Sequence, residues 1–307
     1  MNSATRREFL MRSAAAAAIA GLTATTNVQA DKAQGRPPLC VFSKHLQFLD
    51  YPALARTCRE LGLDGVDLTV RPGGHVLPER VASDLPAAVE AIRAEGLDVP
   101  MITTRFVSGN DDGVREILRT ANACGIPYFR IGSHRYDANG PVLPQLARFT
   151  EEVRGLAEIA GEMDMTAGYH NHSGMHYVGA PLWDLCRIYE AIDSPRVGAN
   201  FDVGHAMVEG AYGAWQITAR LLAPWVRMAA VKDFVFDGNR PRWVPLGEGI
   251  VNVAAFLGIF REHAAFAGPI SLHFEYRVPS NDAMIEEVAN AVHHMREKVY
   301  PEAGYTG

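Results

Sequence analysis

Side chains able to do acid, base or metal chemistry recur in this sequence at the ends of short apolar stretches. Lys44 and His45 follow Leu39 to Ser43, and Asp67, Arg71 and His75 lie in and just beyond Gly65 to Val70. Arg130 and His134 sit in and after Tyr128 to Gly132, and His170, Asn171 and His172 close the stretch from Thr166. Asp202 and His205, then Lys232 and Asp233, then His273 and Glu275 end three further stretches. Imidazoles and carboxylates gathered on one axis suit a divalent Mn, Zn, Co or Fe ion, because these ions accept mixed nitrogen and oxygen ligands. Such an ion polarises a carbonyl and hydroxyl pair and stabilises the enediolate formed when the neighbouring proton leaves. Lys232 could polarise a carbonyl or deliver a proton, or simply pair with Asp233 or a neighbouring glutamate. Arg71, Arg130 and His205 have the donors to hold ligand hydroxyls or a carboxylate, and Arg71 could equally form a salt bridge. His75, His172 and His273 are further candidates for substrate contact. Glu248, flanked by Gly247 and Gly249, could bind substrate, act as acid or base, or only shape its loop. Trp215, Trp225 and Trp243, with Phe234 and Phe236, offer either a stacking face for a ligand or ordinary burial.

The elements that must position these residues follow from periodicity. Eight apolar stretches read as strands: Leu39 to Ser43, Gly65 to Val70, Val99 to Thr103, Tyr128 to Gly132, Thr166 to His170, Val197 to Asp202, Val226 to Lys232, and Pro269 to Glu275. Amphipathic segments such as Tyr51 to Leu61, Leu85 to Glu95, Gly113 to Cys124, Val142 to Met163 and Leu182 to Ile192 separate them as helices. This alternation predicts a parallel sheet, and eight repeats without a low-complexity linker predict an α/β fold closed as a single (β/α)8 TIM barrel. No GxGxxG follows the first strand, which argues against a dinucleotide-binding fold. Within Ile270 to Glu275 the apolar side chains occupy one parity and Ser271, His273 and Glu275 the other; Val66 to Arg71 behaves likewise. The polar parity should face the barrel axis and emerge at the C-terminal rim, where barrel enzymes keep their chemistry.

The segments YHNHSG (169–174), FDVGHA (201–206), VKDF (231–234), PLGEG (245–249), HFEY (273–276) and DGVDLTVRPGGH (64–75) together resemble the xylose-isomerase-like barrels known as sugar phosphate isomerases/epimerases. The likeness runs from about Leu39 to Tyr276. It implies metal ligands on the fifth to eighth strands, a Glu, an Asp, a His and a Glu. Asp202 and Glu275 match directly, His170 stands in place of the fifth-strand Glu with His172 as its rival, and the seventh-strand His is replaced by Ala230. His172, His273 or a water would have to fill that gap. Epimerases of this family use two metal-bound glutamates on opposite faces of the substrate, and this chain keeps one of them, Glu275, so the resemblance makes Glu275 a catalytic carboxylate with Lys232 opposing it. The implied activity is isomerisation or epimerisation of a non-phosphorylated sugar or keto-sugar; the alternatives are a lyase or dehydratase on an oxidised sugar or glycoside, and a catalytically silent sugar-binding barrel.

Residues 1–30 read as an export signal: Arg6-Arg7 with Phe9-Leu10, an alanine-rich apolar stretch from Ala14 to Leu22, and small residues at Val28 and Ala30. The paired arginines resemble the twin-arginine type, which carries folded proteins out of the cytoplasm, so the expected location is periplasmic with a mature barrel over residues 31–307. The stretch is short for a span of about 20 residues, which argues against stable membrane insertion. The whole chain carries 29 basic and 35 acidic side chains; without Arg6, Arg7, Arg12 and Glu8 these become 26 and 34, a net charge of -8. An acidic chain with no basic run disfavours nucleic acid and leaves a small-molecule sugar as the expected partner, with an oligomer open. Cys40, Cys58, Cys124 and Cys186 form no CxxC pair and are expected as free thiols.

Overall fold

Each of the eight apolar stretches forms a strand that pairs in parallel with its neighbours. In the computed structural model, which describes residues 35–306, they are β1 (Leu39–Phe42), β2 (Gly65–Thr69), β3 (Asp98–Thr103), β4 (Tyr128–Arg130), β5 (Thr166–His170), β6 (Val197–Asp202), β7 (Val226–Val231) and, after an inserted hairpin of β8 (Asp233–Asp237) and β9 (Arg240–Val244), β10 (Ile270–Leu272). They close a barrel in the order β1-β10-β7-β6-β5-β4-β3-β2, the expected fold. The signal read over residues 1–30, with Arg6 and Arg7, lies outside the described residues. Among the described residues no helix is long and apolar enough to cross a membrane.

The helices lie outside the strands and each buries one stripe. Along α1 (Tyr51–Glu60), α2 (Val81–Ala94) and α3 (Val114–Ala123) the period is plain in α3, where Val114, Ile117, Leu118 and Ala121 are buried at the i, i+3, i+4, i+7 spacing. Capping sets where helices begin: Asp50 accepts from Ala53 N at 2.8 Å before α1. The long α4 (Val142–Glu162) and α5 (Trp183–Ile192) follow β4 and β5. After β6 come α6 (Val203–Gly210) and α7 (Ala214–Leu222), and α8 (Val253–Ala264) and α9 (Asn281–His294) flank β10.

The interior is polar at alternate positions, as the parity requires. Asp67 on β2 accepts from Thr103 Oγ1 on β3 at 2.7 Å and from Ser271 Oγ on β10 at 2.8 Å, so one buried carboxylate ties three strands together across the barrel. Burial pushes that carboxyl above its ordinary range, against the two hydroxyl donors. The eighth barrel strand stops at Leu272, earlier than its alternation predicts. His273 N still bonds to Val231 O at 3.0 Å, but the next amide, Phe274 N, donates to His45 Nε2 at 3.1 Å. An imidazole captures the N–H that would have continued the ladder, and the chain leaves the sheet.

Cys40, Cys58 and Cys186 are buried free thiols and Cys124 is half-buried and free, in line with the sequence.

Candidate active site

Asp202 ends β6 and caps α6, its Oδ1 accepting from His205 N at 2.8 Å. That single residue therefore fixes two others. His205 is presented from the first turn of α6, and Asp202 Oδ2 is aimed at the axis, where His170 Nε2 lies 3.4 Å away and Lys232 Nζ 3.0 Å away without hydrogen-bond geometry. Asn171 holds the two strand ends in register, accepting from Asp202 N at 2.8 Å and donating to Asp202 O at 3.0 Å. Asp202 is fully buried and Lys232 nearly so, an arrangement stable only while each has an opposite charge.

Lys232 leaves the end of β7 and runs inward under α6. A Cβ on Gly204 would lie 2.6 Å from Lys232 Cγ, so the absence of a side chain there is what lets the lysine stem pass. Its ammonium bonds to Glu275 Oε1, lies 2.7 Å from His205 Nε2, and sits 4.5 Å from the centre of the Trp243 ring. An ammonium can only donate, so His205 Nε2 accepts and its proton is on Nδ1, which donates to Ser173 Oγ at 2.9 Å. Burial, then the Lys232 charge, push the His205 imidazole well below its usual range and keep it neutral. The alternative pairing with Asp233 does not occur. Asp233 accepts from Phe234 N, Gly247 N, Gly249 N and Val251 N at 2.8 to 3.0 Å and so shapes the loop behind the hairpin.

Among the described residues, two groups of donors could hold an ion: His170, Asp202 and His273, and His170, His172 and His205, the ligand atoms in each lying within 4.8 Å of one another. The first group fits a divalent ion on its own terms. His170, Asp202 and His273 are all buried, and His170 Nδ1, Asp202 Oδ2 and His273 Nε2 have no hydrogen-bond partner. Burial first, and then the charge of Arg130, hold His170 and His273 neutral, the form that ligates. Burial also lowers His172 to about 3. Ala230 stands level with both Asp202 and Ser271 in the sheet, so the ligand missing from β7 is missing at the axis. His273 reaches this space from β10's end, stacked between Phe42 at 4.7 Å and His170 at 5.5 Å. Glu275, expected as the third ligand, is in neither group: it is held by Lys232 and lies 3.6 Å from His205 Nε2.

The other expected residues divide. Arg71 and Arg130 come to the mouth, their guanidinium carbons 5.3 and 5.6 Å from the Phe42 ring centre. His75 is half-buried with neither ring nitrogen bonded, while its carbonyl accepts from Tyr51. Glu248 is exposed and makes no ion pair with the cluster. His45 and His134 are structural: His45 pins Phe274, and His134 lies between Tyr169 OH at 3.1 Å and Glu152 at 2.9 Å. Trp243 alone of the candidate tryptophans faces the site; Trp215 packs on Phe256 at 4.4 Å and Trp225 on Tyr189 at 5.9 Å. Asn171, read at the end of the fifth stretch, orients Asp202, whereas Ser133 and Ser173, which orient His172 and His205, carry no spacing signal that would single them out in the sequence.

A family model described as a xylose isomerase-like TIM barrel matches residues 55–297. Solved structures of similar fold include a putative xylose isomerase from Rhodospirillum rubrum, 16% identical over 85% of this chain and 98% of that one with a TM-score of 0.69. A probable 3-DHS dehydratase involved in petrobactin synthesis from Bacillus anthracis is 18% identical over 82% and 97%, TM-score 0.65. A 3-keto-D-glucoside 4-epimerase from E. coli is 13% identical over 83% and 98%, TM-score 0.65. At these identities the likeness establishes the fold. No curated protein matches the chain.

Proposed function

The chain belongs to the xylose isomerase-like TIM barrel family, and from that premise we propose that it is a metal-assisted enzyme moving a proton beside the carbonyl of a sugar or keto-sugar. The carrying observation is the Lys232 ammonium gathered by Glu275, Asp202 and the neutral His205, beside ligand atoms of buried His170, Asp202 and His273 that make no hydrogen bond. Those three donors would hold a divalent ion, whose chemistry is to polarise the substrate carbonyl. Glu275, at the mouth, is the group that removes the proton. Lys232, already a donor to it, faces the same space and can return a proton or bond to the carbonyl oxygen. His205 keeps the lysine aimed by accepting at Nε2, and Ser173 keeps His205 in the tautomer that accepts. With one carboxylate and one ammonium in place of two opposed carboxylates, elimination is the second reading: Glu275 takes the proton and Lys232 assists a leaving hydroxyl or alkoxide. A dehydratase and an epimerase both stand among the structural neighbours.

The test is metal analysis of purified protein followed by a screen of keto-sugars for proton exchange in deuterated water. Exchange by metal-loaded protein, lost with chelator, supports the reading. A metal-loaded protein that exchanges no proton with any of them leaves a sugar-binding barrel. The reading includes location: Arg6-Arg7 and the apolar stretch after them support export by the twin-arginine route, which would allow the ion to be loaded in the cytoplasm.

A further inference from the structure

Three arginines stand on adjacent strand ends at the barrel mouth: Arg71 after β2, Arg105 after β3 and Arg130 at the end of β4. None has a carboxylate within 4 Å or a side-chain hydrogen bond among the described residues. Arg71 and Arg130 converge on one ring, that of Phe42, which also stacks on His273 of the donor cluster. Arg130 is the charge that acts most strongly on both His170 and His273, so its positive end lies near the candidate ligand cluster. The acid that acts most on Arg130 is Asp67, yet that carboxylate faces Thr103 and Ser271 inside the barrel and makes no ion pair with it. Burial lowers the Arg130 guanidinium to about 10. Converging, desolvated and unpaired cations are a standing cost in a folded protein, and a ligand anion removes it.

We infer that Arg71 and Arg130 form an anion subsite of the active centre, so that the substrate is an acidic sugar bearing a carboxylate or phosphate. This inference rests on the enzymatic reading above for the word substrate, and on geometry alone for the anion. A planar carboxylate suits the guanidinium fork, and the export proposed above favours it over phosphate. Arg105, exposed and repelling Arg71, adds to the attraction without a defined contact.

The experiment measures binding without turnover. Wild type, Arg130→Met and Arg71→Gln are titrated by calorimetry at low salt with D-gluconate, D-glucuronate, D-glucose 6-phosphate and D-glucose. Saturable binding of an acidic probe, with glucose at least tenfold weaker and the acidic probe weakened tenfold or more in each variant, is the expected result. Tighter binding of the two carboxylates than of the phosphate assigns the anion as carboxylate, and the reverse order assigns it as phosphate. Equal affinity for glucose and the acids, or acid binding unchanged in both variants, overturns the inference. The melting temperature of ligand-free Arg130→Met should equal or exceed that of wild type, since an unpaired, half-buried charge is removed; a fall of several degrees would make Arg130 a structural residue and also overturn it. Arg71→Gln, at a half-exposed position, keeps the binding test available if Arg130→Met folds poorly. A protein that binds gluconate yet exchanges no proton refutes the enzymatic reading and leaves the anion subsite standing; proton exchange on neutral keto-sugars without acid binding does the reverse.

Discussion

Lys232→Met removes one ammonium and keeps most of the stem volume, and the structure allows its consequences to be worked through. The ammonium serves two carboxylates of different exposure. Glu275 is 36% exposed in its side chain and rehydrates when its partner is lost, so that pair contributes little. Asp202 is fully buried, and its Oδ2 has otherwise only the His170 edge at 3.4 Å. Breaking a buried pair by removing one partner costs about 3 to 5 kcal/mol. At roughly 2 to 4 °C per kcal/mol for a domain approaching this size, the ligand-free variant should melt about 10 °C below wild type. The same change frees Asp202 Oδ2 for an ion, so at equal manganese concentration the variant should regain more stability than wild type gains. An ion at a hundred times its Kd returns about 2.7 kcal/mol, a large part of the loss. Turnover, once a substrate is known, should fall by about 10² to 10⁴. The assay is calorimetric melting of both proteins, chelated and with graded MnCl2. An unchanged melting temperature in the chelated variant, or equal stabilisation of the two proteins by manganese, would refute the shared use of Asp202.

The donor geometry predicts that His273→Ala loses bound metal while Glu275→Ala retains it, with Asp202→Ala as the fully depleted control; elemental analysis after dialysis reads the outcome, and the opposite order would return Glu275 to the ligand set. Asp233→Ala strands four backbone N–H groups, of which those of buried Phe234 and Val251 cannot reach water, so stability should fall by about 3 kcal/mol in a urea titration. A midpoint within error of wild type would mean that the hairpin loop holds its shape without this carboxylate. Replacing Arg6 and Arg7 by Lys should leave folded, uncleaved protein in the cytoplasm, seen by fractionation and mass spectrometry; normal export of that variant rejects the twin-arginine route.

Period-two and period-3.6 patterning is local, and so the barrel was legible in the chain: β5 and β6 fall where the alternation ends them, and α3 follows its apolar spacing to within a residue at each end. The clustering of functional types at strand ends was legible for the same reason, because a parallel barrel sends every strand's last inward residue to one rim. What each rim residue does was not. His45, His134 and His205 look alike in sequence, yet one caps a strand end, one joins Tyr169 to Glu152, and one accepts from Lys232. That His273, and not Glu275, lies with His170 and Asp202 in a group able to hold an ion depends on where β10 ends, and His45, 229 residues from Phe274, takes the amide that ends it. The hairpin that lays Trp243 over Lys232, and Gly204 making way for the lysine stem, are likewise contacts between distant segments. Sequence by itself determined which side chains arrive at the mouth, because strand parity is a property of neighbours in the chain. Tertiary structure alone decided their partners, because ion pairs, stacking and ligand sets depend on distances of a few ångströms between residues that closure of the barrel brings together.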